Sequence, residues 1–250
     1  MAVTAVIPAR YASTRFPGKP LVLINGKPMV QQVVERCHEA GCFARVVVAT
    51  DDQRIEAAVR GFGGDVLLTS ASHPTGTDRV AEVARLLGLA GTDVVVNIQG
   101  DEPALHPDSL RALVRLFDSP EVALGTLVRP LADEERSKPT VVKVVLDEAR
   151  RALYFSRADL PFQRDATTAP IQRWAHVGLY GYRATTLQRL STLPPTPLEL
   201  TEALEQLRAL GHGLRFHTAV TTHASAAVDV PQDLPAAEAA VRALVRAAHT

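Results

Sequence analysis

The stretch Val3-Thr4-Ala5-Val6-Ile7-Pro8 is short, almost wholly apolar and closed by a proline. A run of this length, rich in β-branched residues, reads as a buried strand, and Pro8 predicts a loop after it. The same signal returns at Ala44 to Thr50, Asp65 to Thr69 and Asp93 to Gln99. Helical stretches lie between these runs. Pro28 suits the first turn of a helix running to Ala40, with Gly41 as its C-terminal cap. Asp51 or Asp52 caps a second helix towards Arg60, and a third spans about Thr77 to Leu87. Strand, helix, strand at this spacing requires crossover connections, and therefore a doubly wound, mostly parallel α/β sheet.

The rhythm loosens after Asp118. Ala123 to Val128, Val141 to Leu146, Ala152 to Phe155 and Val177 to Tyr182 read as strands with little helix between them, and Asp159 to Trp174 reads as a loop. A helix from about Leu198 to Leu210 ends at Gly211, a strand covers Leu214 to Val220, and Gln232 to Ala248 is a closing helix. The expected organisation is one domain over residues 1–250, with 119–185 as a mostly β insertion.

Lys plus Arg and Asp plus Glu are 27 each, which argues against a nucleic-acid coat or a polybasic membrane surface. No apolar run approaches the roughly 20 residues that span a bilayer, and Met1 to Pro8 lacks the pattern of a signal peptide. Cys37 and Cys42 match no metal-ligand pair and make a poor disulfide framework, so a reducing cytosol is the expected location.

In open α/β sheets ligands bind at the carboxyl ends of strands, where strand order reverses. Three polar segments sit at such ends: Arg10 to Lys19, Ser70 to Arg79, and Gln99 to Glu102. The first carries Arg10, Arg15 and Lys19, stiffened by Pro17 and Pro20, with Gly18 free to take positive φ. A triphosphate needs such a set of fixed donors, although the charge pattern alone fits a solvated basic loop equally. The G-x-x-x-x-G-K-[ST] spacing of a Walker loop is absent, and Gly61-Phe62-Gly63-Gly64 follows a helix, which makes it a cap and turn rather than a dinucleotide fingerprint.

Several segments, taken together, resemble one family. They are Ile7 to Leu21, Val48-Ala49-Thr50-Asp51, Thr75-Gly76-Thr77-Asp78-Arg79, Asn97 to Pro103, Lys143 to Asp147, Ala152 to Arg157, His176 to Arg183, Leu204 to Arg208, and Val228-Asp229. In this order they are similar to the CMP-Kdo synthetases, the 3-deoxy-manno-octulosonate cytidylyltransferases. Leu204 to Arg208 is the segment that separates these from the sialic-acid branch. The resemblance implies a Rossmann-like nucleotidyltransferase fold, with the insertion forming a homodimer interface. It implies transfer of CMP from CTP to the sugar acid Kdo, with Mg2+, for lipopolysaccharide biosynthesis in the cytoplasm. By the same resemblance Ala9, Arg10, Arg15, Gly18, Lys19 and Thr75 would bind CTP, and Lys19, Asp101 and Asp229 would be catalytic. Asp101 and Asp229 would carry the magnesium. Arg79, Gln99, Arg157, Arg164, His176, Tyr180, Glu205 and Gln206 would contact the sugar. Phe16 stands where the family commonly has Leu, Phe162-Gln163 stand where it has Trp-Asp, and the Asp165 to Trp174 loop is short.

Read without the resemblance, most of these residues have blander roles. Asp229 alone is a cap or loop carboxylate, and an arginine such as Arg79 on an amphipathic helix is by default exposed. Arg157 and Arg164 read as surface charges, and His176 as a hydrogen-bonded core polar group. Glu205 and Gln206 are neighbours on one helix, roughly 100° apart, so both reach one pocket only if it meets the helix end-on. No residue stands out as a general base. The rival readings are a cytidylyltransferase for 8-amino-Kdo or a nonulosonic acid, and a sugar-nucleotide-binding protein without chemistry.

Overall fold

The computed structural model describes residues 1–12, 15–165, 171–223 and 227–247. Ser13 and Thr14 of the cationic loop, residues 166–170 of the expected 159–174 loop, and Ala248 of the expected last helix lie outside the described residues. β1 (Val3–Ala9) leads into the cationic loop, a 3-10 turn at Lys19–Leu21, and a hairpin of β2 (Leu23–Ile24) and β3 (Lys27–Pro28). Then come α1 (Met29–Ala40), β4 (Arg45–Thr50), α2 (Gln53–Gly61), β5 (Asp65–Leu68), α3 (Gly76–Leu86) and β6 (Val94–Asn97). The second half runs α4 (Pro107–Arg115), β7 (Leu124–Pro130), β8 (Lys143–Leu146), β9 (Ala152–Ser156), β10 (Trp174–Arg183) and α5 (Ala184–Thr192). It ends with α6 (Pro197–Glu202), α7 (Gln206–Gly211), β11 (His217–Val220) and α8 (Leu234–Ala247).

The main sheet has the order β11-β7-β10-β6-β1-β4-β5, with β8 and β9 continuing from β10. β1 pairs parallel with β4 and β6, β4 with β5, and β7 with β11, while β10 runs antiparallel to both β6 and β7. The expected doubly wound, mostly parallel sheet is borne out. Its strands are apolar on both faces because both faces are covered. Ala5, Ile7, Val48 and Val96 pack with Val33 of α1, Ile55 of α2 and Leu110 of α4. Val6, Val47 and Val95 point the other way, onto Val80 of α3, Leu187 of α5 and Leu207 of α7. Alternating residues of one strand thus serve two cores.

Local signals set the helix starts. Asp52 accepts the backbone N–H of Arg54 as N-cap of α2, and Thr75 and Asp78 form a capping box at α3. Two helices are absent from the sequence reading. α4 begins at Pro107 behind His106, an unusual cap, and α5 leaves β10 with no side-chain cap at all. The single helix expected from Leu198 to Leu210 is also corrected: it breaks at Ala203, whose φ is 50°, into α6 and α7.

Chain order decides where a ligand binds. β1 lies between β4, reached first, and β6, reached only after the chain has passed out to β5 and back. The switch in winding direction therefore falls at β1, and the crevice opens at its carboxyl end.

Candidate active site

Two backbone segments form the floor of that crevice. β1 ends at Pro8-Ala9-Arg10, and β6 runs into Gln99-Gly100-Asp101. A side chain at Gly100 would place its Cβ 2.9 Å from the Pro8 carbonyl oxygen, so only glycine lets the two ends lie this close. The loop after β1 turns at Gly18, with φ of 73°, whose N–H donates to the Tyr11 carbonyl at 2.9 Å. That turn starts the 3-10 segment and sends Lys19 back towards the strand ends. A cavity of about 430 Å³ results, lined by Ala9, Arg10, Arg15, Lys19, Gln99 and Asp101 among others.

The charges in it are organised around Lys19. Its Nζ donates to Asp101 Oδ2 at 2.8 Å and to the Val228 carbonyl at 2.9 Å, and lies 3.9 Å from Asp229 Oδ1. Arg15 Nη2 holds the same Asp229 oxygen at 2.9 Å. The Val228 N–H donates to the Asp101 carbonyl, which stitches the two carboxylate-bearing segments together. Phe16 packs on the small apolar cluster containing Val228, and so supports the same junction. Two acidic residues distant in sequence thus share one ammonium. Hard oxygen donors facing one positive charge suit a small hard dication, and magnesium usually takes one or two carboxylates, with phosphates and water completing its shell. The donor set fits Mg2+.

Arg10 reaches across the crevice to the carbonyls of His73 and Thr75. Thr75 Oγ1 in turn donates to Asp78 and, at 3.2 Å, to Glu205 Oε1. The residues expected at the nucleotide and at the sugar are therefore joined through one threonine.

A second cavity of about 500 Å³ lies beside Asp101, lined by Glu102, Arg129, Glu135, His176, Tyr180, Gln206 and His223 among others. Tyr180 Oη donates to Gln206 Oε1 at 3.3 Å. His176 shares a 3.0 Å hydrogen bond with Thr126 and meets Phe155 edge-on, with ring centres 4.9 Å apart. Burial pushes the His176 imidazole down to about 3 and raises the Tyr180 phenol, so both are neutral donors or acceptors here. Glu205 is raised by burial against the hydrogen bonds from Thr77 and Thr75. The break at Ala203 makes Glu205 the N-cap of α7 and Gln206 its first residue, which is the end-on approach that the pair requires.

A sequence profile of the cytidylyltransferases matches residues 4–216. The chain belongs to the cytidylyltransferase family. It is 55% identical over 239 residues to the 3-deoxy-manno-octulosonate cytidylyltransferase of Myxococcus xanthus, covering 96% of each chain. It is 47% identical to the 8-amino-3,8-dideoxy-manno-octulosonate cytidylyltransferase of Shewanella piezotolerans, covering 96% of this chain and 98% of that one. A solved structure of CMP:2-keto-3-deoxy-manno-octonic acid synthetase complexed with CTP superposes with a TM-score of 0.90, at 40% identity, over the whole of both chains.

Within this cytidylyltransferase four expected sugar contacts lie away from the two cavities, Glu205 lining instead a small pocket with Tyr180 and Gln206. Arg79 is fully buried on α3, not exposed as its helix position suggested; Nη2 pairs with Asp51 at 3.0 Å and Nη1 donates to Thr69. Arg157 spends its donors on the carbonyls of Glu202, Pro139 and Ala203. Arg164 borders a separate pocket with Phe162 and Ile171. Sequence reasoning missed Arg129, which lines the second cavity and forks onto Glu135 at 2.6 and 2.7 Å. Its signal was position: it stands at the carboxyl end of β7, where a polar residue closes an apolar run.

Proposed function

We propose that the protein transfers CMP from CTP to the anomeric hydroxyl of Kdo, releasing pyrophosphate, as a step of lipopolysaccharide biosynthesis in the cytoplasm. The observation that carries this reading is the Lys19 ammonium held between Asp101 and Asp229 at the switch point, beside a cavity lined by arginines. Arg10, Arg15 and Lys19, with the backbone at Ala9 and Gly18 and the Thr75 hydroxyl, hold the triphosphate. Lys19 then has a second task, neutralising the departing pyrophosphate as a cation already fixed beside the phosphates. Kdo takes the second cavity, where His176, Tyr180 and Gln206 offer hydrogen bonds to its hydroxyls, with Gln99 on the wall of the first cavity and Glu205 in the small pocket beside Tyr180 and Gln206. Arg129 is the cation lining that cavity and the partner we assign to its carboxylate, in place of Arg79, Arg157 and Arg164. Asp101 and Asp229 hold Mg2+, which when bound neutralises phosphate charge and lowers the pKa of an attacking hydroxyl. Positioning and charge neutralisation carry the reaction, and no side chain is assigned as a general base.

The 8-amino analogue of Kdo is a second reading, supported by the Shewanella relative's 47% identity. One assay tests both: purified protein with magnesium, each of four nucleoside triphosphates, and a panel of acidic sugars, read as pyrophosphate release. CTP with Kdo should lead the panel. Equal rates with ATP overturn the nucleotide assignment, and no release with any sugar overturns catalysis. The 119–185 segment is proposed as the surface that joins two copies. Sedimentation of the full chain should then give twice the 26.9 kDa chain mass.

A further inference from the structure

His106, Asp108 and His223 bring one nitrogen or oxygen ligand atom each to within 4.8 Å of one another, apart from the Asp101 and Asp229 pair. His106 Nδ1 lies 3.7 Å from Asp108 Oδ2, and His223 Nε2 lies 3.9 Å from that same oxygen. The two imidazoles stack, with centres 3.5 Å apart and planes within 1° of parallel. Arg111 grips the other carboxylate oxygen, Oδ1, at 2.7 and 3.0 Å, which fixes the carboxylate with Oδ2 towards the histidines. Around a tetrahedral metal with nitrogen ligands at ~2.0–2.1 Å the donors sit ~3.3 Å apart and each imidazole binds in its own ring plane, so the two rings must turn out of their parallel stack to close this set. Solvent reaches every member, with 24%, 56% and 38% of the His106, Asp108 and His223 side chains exposed.

Chemistry selects the ion. Two imidazoles and a carboxylate suit zinc and its borderline neighbours, whereas magnesium prefers oxygen. His106 Nδ1 accepts the Asp108 N–H at 3.2 Å, so a metal at this nitrogen takes the place of that helix-capping bond. Connectivity gives the site a consequence. His106 follows Asp101 through a short loop into α4, and His223 stands between β11 and the Val228-Asp229 segment. The cluster therefore links the two chain segments that bring Asp101 and Asp229 to Lys19.

We propose that His106, Asp108 and His223 form a second cation site, for a zinc-class dication, that ties together the segments carrying Asp101 and Asp229. This goes beyond the transferase reading and does not depend on it, because its test reads metal binding and not turnover. Tag-free, EDTA-stripped full-length protein is titrated with Zn2+ against a chromophoric chelator, in millimolar Mg2+ to saturate oxygen-only sites. One Zn2+ should bind per chain. His106→Asn keeps a helix-capping acceptor but removes the imidazole, and should weaken Zn2+ binding by at least ~10-fold, as should Asp108→Asn. Asp101→Asn and Cys42→Ser should leave Zn2+ binding unchanged. Zn2+ should raise the melting temperature of the wild-type chain and not that of His106→Asn, and circular dichroism without metal checks that both fold. Absence of a stoichiometric site, binding undiminished in His106→Asn, or loss in Asp101→Asn or Cys42→Ser overturns the proposal.

Discussion

Lys19 has two competing demands on its charge. Without nucleotide it neutralises Asp101 and Asp229, the pair expected to hold magnesium; with nucleotide it is expected at the phosphates. Lys19→Met should therefore move two observables in opposite directions. Turnover should fall by roughly 10² to 10³, the usual cost of one lost charge-stabilising donor. Magnesium affinity in the absence of CTP should rise, because a competing cation has gone, and calorimetric titration reads this directly. A merely surface lysine would leave turnover within about twofold and stability within ~0.5 kcal/mol. Asp101→Asn and Asp229→Asn should each lose more than ~10² in turnover, about 2.7 kcal/mol at the transition state. The double variant should be little worse than either, since the two act as one unit. Near-normal turnover of either single variant at limiting magnesium would remove that residue from the metal site. Arg10, Arg15 and Lys19 were legible because their spacing is local. The meeting of Asp101 with Asp229 was not, because the Val228 to Asp101 backbone hydrogen bond that creates it is a tertiary contact.

At the scale of elements, the elbow between α6 and α7 decides where Glu205 and Gln206 point. Nothing in residues 198–210 announces a break, since the stretch holds no glycine or proline. The break is imposed from outside: Arg157 donates to the Glu202 and Ala203 carbonyls that a continuous helix would have used itself. Across the elbow Arg208 forks onto Glu199 at 2.6 and 2.9 Å, with both residues 8% exposed. Arg208→Met strands a buried carboxylate and should cost about 3 kcal/mol, the lower end for breaking such a pair. It should also raise KM for the sugar more than KM for CTP, because the elbow carries Glu205 and Gln206, the residues proposed to face the sugar. Replacing both partners, Arg208→Met with Glu199→Leu, should recover much of the stability, since neither charge is then left alone. Urea unfolding of the three variants measures this, and a double variant no better than Arg208→Met would show that the pair does not hold the elbow.

The whole molecule was most legible where strands are apolar on both faces, because a buried parallel sheet writes itself as uninterrupted runs such as Val94 to Asn97. It was least legible at α5, which has no side-chain cap, and at α4, whose first-turn Pro107 and Asp108 were passed over behind the unusual His106 cap. Burial also shapes how the whole fold responds to acid, and several groups must be weighed together. His176, His217 and His106 are all held below the ordinary histidine range, in each case mainly by burial. Between about pH 6.5 and the depressed folded value, the unfolded chain binds protons that the folded chain refuses, so stability falls as pH falls. For His176 this window runs from about 6.5 down to about 3. His176 is only half-buried by surface area, so its share is smaller than complete burial would give. Glu205, raised by burial, acts in the opposite sense, losing stability as pH rises through its folded value. Carboxylates held low by arginine, such as Glu135 by Arg129 and Asp159 by Arg136, lose their contribution only below the usual carboxylate range. The interval from about pH 6.5 to 4.5 is therefore governed chiefly by the histidines, with Glu205 opposing. His176→Gln keeps a hydrogen-bonding partner for Thr126 but cannot take up a proton. Urea midpoints at several pH values across this interval should fall with acid in the wild-type chain, and the fall should be visibly shallower in His176→Gln. An equal slope in the two proteins would mean that His176 titrates alike folded and unfolded, and that its ring is not shielded as the cavity wall implies.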